Sequence, residues 1–117
     1  MRLESKVALV TGFGSGIGQA VAVMLAAEGA KVLGVSRRQD AGNETLAAIT
    51  AAGGTAAFFA ADVRSSSDVD AAMAKAVERF GGLDIVANCA GIRLVGRATD
   101  ITEEQWDDVM ATNLKAA

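Results

Sequence analysis

The sequence predicts an α/β protein built on a doubly wound parallel sheet, with helices on both faces. Three observations carry that expectation. Short β-rich runs alternate with longer segments of helical period, the short runs are mostly apolar on both faces, and a glycine-rich turn follows the first of them. Strands covered on both sides lose the in/out alternation of half-exposed strands. β-α alternation with right-handed crossovers then gives a parallel sheet sandwiched by helices.

Val7–Thr11, Lys31–Ser36, Thr55–Ala60 and Leu83–Asn88 read as the four buried strands. The first helix, over 17–28, places Ile17, Val21, Met24 and Leu25 on one face. An Ala-rich second helix lies between the second and third strands. The third helix, over 66–80, carries Val69, Met73, Val77 and Phe80 on one stripe, the pattern of a helix lying on a sheet. Ser65, Ser66 and Ser67 offer it an N-cap. Gly29, Gly53 and Gly81 follow the first three helices, where a left-handed C-cap residue is expected. Thr102-Glu103-Glu104-Gln105 forms a capping box for a last helix that buries Trp106, Val109, Met110 and Leu114.

A chain of 117 residues allows one domain. With 51% hydrophobic and 21% charged residues it can bury a core. The net charge of −3 and scattered Lys and Arg argue against a nucleic-acid surface, which needs clustered basic residues. Cys89 is the single cysteine and histidine is absent, so no internal disulfide is expected, nor a zinc site. The apolar runs are broken well short of the roughly 20 residues a membrane span needs. The start, Met1 to Val10, superficially resembles a signal peptide, but the glycine turn follows at once and leaves no cleavage site. A cytoplasmic protein with no membrane or nucleic-acid partner is expected.

Thr11-Gly12-Phe13-Gly14-Ser15-Gly16-Ile17-Gly18 sits between the first strand and the first helix. Such a turn points free backbone N–H groups and the positive helix end outward, which suits a pyrophosphate. Gly12 can take the sharp turn, Gly16 leaves a phosphate unobstructed, and Gly18 lets helix and strand approach closely. The spacing is Gly-x-x-x-Gly-x-Gly, distinct from the Gly-x-Gly-x-x-Gly dinucleotide fingerprint and from a P-loop.

The turn resembles the cofactor motif of the short-chain dehydrogenases/reductases, a Rossmann-type family. Three more segments are similar to that family in the same order: Asp62-Val63 after the third strand, Asn88-Cys89-Ala90-Gly91 after the fourth, and Thr112-Asn113-Leu114 in the last helix. The resemblance covers essentially the whole chain and implies strand order 3-2-1-4. It departs at Cys89, where the family carries a second Asn. It implies cofactor contacts from Gly12, Gly14, Ser15, Gly16, Ile17 and Gly18, from Asp62 and Val63 at the adenine, and from Ala90 and Gly91 near the nicotinamide-side ribose. It gives Asn88, counted with the cofactor-binding residues, a mainly structural role that ties the fourth strand to its neighbours, and Asn113 the task of holding a water in a proton relay; otherwise Asn113 is a core amide. Asp62 could equally be a helix N-terminal charge, and the two roles are compatible. Cys89 reads as a small buried hydrophobe rather than a nucleophile. Arg93 and Arg97 read as solvated loop charges, with a substrate cleft as the alternative.

NAD-preferring Rossmann proteins place an acidic residue at the end of the second strand, about 20 residues past the glycines. Ser36-Arg37-Arg38 stands there instead. A guanidinium can grip the 2′-phosphate of NADP with charge-assisted hydrogen bonds. NADP(H) is therefore expected, with NAD(H) as the weaker possibility; Arg37 is the main phosphate ligand, assisted by Ser36 or Arg38. Both arginines could also be plain solvated loop charges.

The resemblance further implies hydride transfer between nicotinamide and an alcohol or ketone, of the 3-oxoacyl-carrier-protein reductase or sugar/alcohol dehydrogenase kind. It also implies a homo-oligomer, dimer or tetramer. Family enzymes use a Tyr as acid/base, a Lys and a Ser, yet this sequence has no tyrosine. The expectation is a truncated, N-terminal NADP-binding half over 1–117 that lacks the catalytic second half and gives no turnover alone. A non-catalytic NADP-binding module and a partner-dependent structural piece are the alternatives.

Overall fold

A computed structural model describes residues 2–14, 16–90 and 102–111. The elements run β1 (Val7–Thr11), α1 (Gly16–Ala27), β2 (Lys31–Ser36), α2 (Gln39–Ala51), β3 (Thr55–Ala60), α3 (Ser66–Phe80), β4 (Ile85–Ala87) and α4 (Glu103–Met110). The sheet order is β3-β2-β1-β4 with every pairing parallel, as expected. Two cores flank it. Val10, Val32 and Phe13 pack with Ala22 and Ala26 of α1 and Ile49 of α2 on one face. Leu9, Leu33 and Val35 pack with Ala72 and Ala76 of α3 on the other.

The caps follow the sequence. The Ser65 side chain accepts from Asp68 N–H at the start of α3, and Gly81 closes that helix at φ +84°, its N–H donating to Val77. Gly29 and Gly53 also take positive φ. Thr102 and Gln105 cap reciprocally: Gln105 N–H donates to Thr102 Oγ1 at 3.1 Å, and Thr102 N–H to Gln105 Oε1 at 2.9 Å.

Five expectations need correcting. Among the described residues only β1 and β2 are buried nearly throughout, because β3 and β4 are the sheet's margins. β4 is shorter than Leu83–Asn88, since Asp84 leaves the ladder: its carboxylate accepts from Val7 N–H at 2.8 Å and its own N–H donates to Val7. On α1, Val21 and Leu25 pack toward the core, but Ile17 is 76% and Met24 68% exposed. The face against the sheet is Gly18, Ala22 and Ala26. On α3, Ala72 and Ala76 are buried while Met73 and Val77 stand out to solvent. Both helices present small residues to the sheet, which brings their axes closer than leucine-sized residues would allow. In α4, Met110 is exposed, contrary to expectation, and Leu114 lies outside the described residues.

Candidate functional site

The site sits where β1, β2 and β4 release the chain at their carboxyl ends, the place where open parallel sheets bind ligands. Gly12 turns at φ +65°, and a Cβ there would lie 2.8 Å from the Cys89 carbonyl oxygen. A Cβ on Gly18 would collide with the Gly12 carbonyl, so α1 packs directly on the turn. A Cβ on Gly16 would meet nothing within 4 Å: the side of the turn away from the protein is open. The first N–H groups of α1, at Gly16, Ile17 and Gly18, have no partner within the helix, and the helix dipole adds a positive end. Ile17, exposed, stands beside that mouth instead of in the core.

Phe13 points the other way. Its ring is fully buried and stacks on Phe58 at 6.1 Å between centroids, while its N–H reaches the Val35 carbonyl. The turn is thus anchored by an aromatic side chain in the core. Sequence reading left Phe13 as an unspecified position between glycines.

At the end of β2, Ser36 is half-buried and Arg37 and Arg38 are exposed. Ser36 Oγ donates to the Arg38 carbonyl at 3.3 Å, and Arg38 occupies the N-cap of α2. A cleft joins these residues to the glycine turn: Gly12 and Gly14 on one side, Ser36, Arg37 and Arg38 on another, with Val63 and Ala90 closing it. Val35, Ala41 and Ala61 complete the lining, and sequence reading did not single them out.

Asp62 lies between the lining residues Ala61 and Val63, its carboxylate bonded to Arg64, with a shortest contact of 2.8 Å. The hydrogen bonds from the Arg64 side chain hold the Asp62 carboxyl down at about 2. Burial pushes it up, while the Arg64 N–H and the charges of Arg64 and Arg37 add to the lowering. Asp62 is therefore an anion throughout the physiological range.

Asn88 is exposed just past β4. The observed tie between β4 and β1 runs instead through Thr11. Its Oγ1 accepts from Cys89 N–H at 3.0 Å and from Ala90 N–H at 3.1 Å, and donates to the Ala87 carbonyl at 3.4 Å. Cys89 is half-buried against the core. Thr11→Val keeps the shape of the side chain but strands two partly buried N–H groups. It is expected to cost roughly 1–3 kcal/mol, the penalty for unsatisfied donors, while Thr11→Ser restores most of it; urea unfolding measures both. Ser15, Gly91 and Asn113, with Arg93 and Arg97, lie outside the described residues.

A parallel 3-2-1-4 sheet with a glycine turn opening into a cleft at its carboxyl edge defines a doubly wound α/β nucleotide-fold protein. The family model for short chain dehydrogenase matches residues 6–117, and the chain belongs to that family. It is 44% identical over 115 residues to an uncharacterized oxidoreductase of Thermotoga maritima, covering 98% of this chain and 45% of the relative. It is also 44% identical over 111 residues to the short-chain reductase NovJ of Streptomyces niveus, covering 95% and 42%. A variant of the actinorhodin polyketide ketoreductase determined with NADPH superposes with a TM-score of 0.91 at 39% identity, over 95% of this chain and 42% of that one. The chain thus spans under half the length of the relatives it matches. Among the described residues no helix is long and apolar enough to cross a membrane.

Proposed function

We propose that residues 1–117 are the NADP(H)-binding half of an oxidoreductase that interconverts a small-molecule alcohol and carbonyl compound. The observation that carries this reading is the cleft shared by the glycine turn and Ser36-Arg37-Arg38. A dinucleotide fits what is there. The open side of Gly16 admits a phosphate, the N–H groups at the mouth of α1 can hydrogen-bond it, and the exposed guanidiniums of Arg37 and Arg38, residues that line the cleft, would take a 2′-phosphate. Gly14 crowds Ala41 of α2 at 3.0 Å for an added Cβ, so the turn and the arginine-bearing loop are held close. Asp62 and Val63 would receive the adenine, and Ala90 and Gly91 the nicotinamide-side ribose, with Asn88 in a mainly structural role beside them. When bound, the nicotinamide would supply or accept the hydride.

The substrate class is the one the family resemblance implies, a 3-oxoacyl, sugar or simple alcohol/ketone compound; the names of the similar short-chain reductase and polyketide ketoreductase support a carbonyl substrate, and Asn113 would hold a water for its proton relay. Chemistry of this kind, half-buried Cys89 as the single thiol and the family membership support a reducing cytoplasmic setting and a homo-oligomer.

Arg37 carries the cofactor choice. A charge-assisted hydrogen bond contributes about 1.5–3 kcal/mol, or roughly ten- to a hundredfold in affinity. Titrating the chain with NADPH and NADH should give at least tenfold tighter NADPH binding, and Arg37→Ala should lose most of that preference with NADH affinity little changed. An unaltered NADPH/NADH ratio in the variant would remove Arg37 from this role.

A further inference from the structure

Arg64 belongs to no motif that the fold or the cofactor reading uses, yet it forms an ion pair with Asp62, which sits between two residues that line the cleft. Its Nη2 lies 2.8 Å from Asp62 Oδ2, its Nε 3.1 and 3.2 Å from the two carboxylate oxygens, and its backbone N–H 3.0 Å from Oδ1. The main chain around Asp62 is fixed as well. Asp62 N–H donates to Asp68 Oδ2 at 2.9 Å, Asp68 is held by the Ser65 cap, and Ala61 N–H donates to the Ser36 carbonyl at 3.0 Å. Ala61 and Val63, on either side, both line the cleft.

We propose that Arg64 is a positioning residue for base recognition: its planar fork locks the Asp62 carboxylate in one orientation, so that a remaining lone pair faces the exocyclic amino group of an adenine in the cleft. The proposal rests on the reading of Asp62 as the adenine contact. An ionised carboxylate offers about four lone-pair directions; Arg64 makes four contacts with three N–H groups, the Nε hydrogen being shared between both oxygens, so an incoming amino N–H takes the direction on Oδ2 that the longer, 3.2 Å arm of that shared bond gives up. A lone aspartate at 31% exposure would rotate freely and hydrate; held by a bidentate partner it is pre-organised, and the ligand need not supply the ordering. Arg64 also balances the Asp62 charge beside Arg37, so the acceptor does not cancel the cation meant for a 2′-phosphate. The pair is partly exposed, so its removal leaves the packed core intact.

The test compares NADPH with its purine analogue, in which hydrogen replaces the 6-amino group, by calorimetry on the chain and on Arg64→Ala, Asp62→Asn and the double variant. The unsubstituted chain is expected to favour NADPH about tenfold. Arg64→Ala should cut that preference to threefold or less, mainly by weakening NADPH. In the Asp62→Asn background, Arg64→Ala should change the preference no further. If the unsubstituted chain does not distinguish the two ligands, Asp62 does not read the amino group and the proposal falls with it. If it does distinguish them but Arg64→Ala retains the full preference, or weakens both ligands equally, Asp62 stands and the positioning role of Arg64 is overturned.

Discussion

Gly18→Ala is expected to destabilise the chain by at least about 2 kcal/mol and to abolish measurable nucleotide binding. Two effects oppose each other. Alanine inside a helix gains about 1 kcal/mol over glycine through helix propensity. Against this, the new Cβ would collide with the carbonyl carbon and oxygen of Gly12 and lie 3.0 Å from the Thr11 carbonyl oxygen. All three are backbone atoms at the end of β1, so no rotamer change relieves the contact. Overpacking of this kind costs typically 1–3 kcal/mol when side chains can yield, and here the start of α1 must move as a unit. That movement also carries the N–H groups of the helix mouth away from Gly12 and Gly14. Stability and binding should therefore fail together. Urea unfolding and NADPH titration would check this; an unfolding midpoint at the unsubstituted value, with binding intact, would show that the turn does not depend on that close approach.

The element order and strand order were legible because they follow from alternation, and because caps are local. Ser65, Thr102 with Gln105, and Gly81 each act within a few residues of themselves. The glycine turn was legible for the same reason. What escaped depended on distance or on size. Thr11 meets Cys89 across 78 positions, a contact that exists only because β4 pairs beside β1. The buried faces of α1 and α3 were misjudged because Ala22, Ala26, Ala72 and Ala76 share the helical period with larger neighbours. Periodicity cannot choose between two adjacent stripes; close approach to the sheet chose the small one. β4 was read too long because Leu83 carries the apolar pattern one residue before Asp84, whereas Asp84 commits its backbone and side chain to Val7. The Asp62-Val63-Arg64 spacing was a visible signal of opposite charges in one turn, and it was passed over for the motif it follows.

Phe13 also left traces, in glycines that sit where glycine is otherwise disfavoured. Gly34 lies inside a central strand and Gly42 inside a helix, positions that cost about 0.5–1 kcal/mol each relative to alanine. A Cβ at Gly34 would strike the Phe13 ring, and one at Gly42 would strike Phe58. The two glycines make room for an aromatic pair at 6.1 Å and 27° that links the turn to β3 and α2. Phe13→Ala should therefore cost about 3–5 kcal/mol, the usual range for emptying a buried phenylalanine site, because Phe58 cannot fill the void without leaving Gly42. Against a typical domain stability of about 5–15 kcal/mol, that is a third or more of the total. Nucleotide affinity should drop too, since Gly12 and Gly14 flank the anchor and lose their fixed geometry. Phe13→Leu should retain more than half of the lost stability, because it keeps most of the volume. The denaturant midpoints of the two variants, set beside their NADPH affinities, decide the matter. A Phe13→Ala loss below about 1 kcal/mol, with binding unchanged, would mean that the turn is held by its backbone alone.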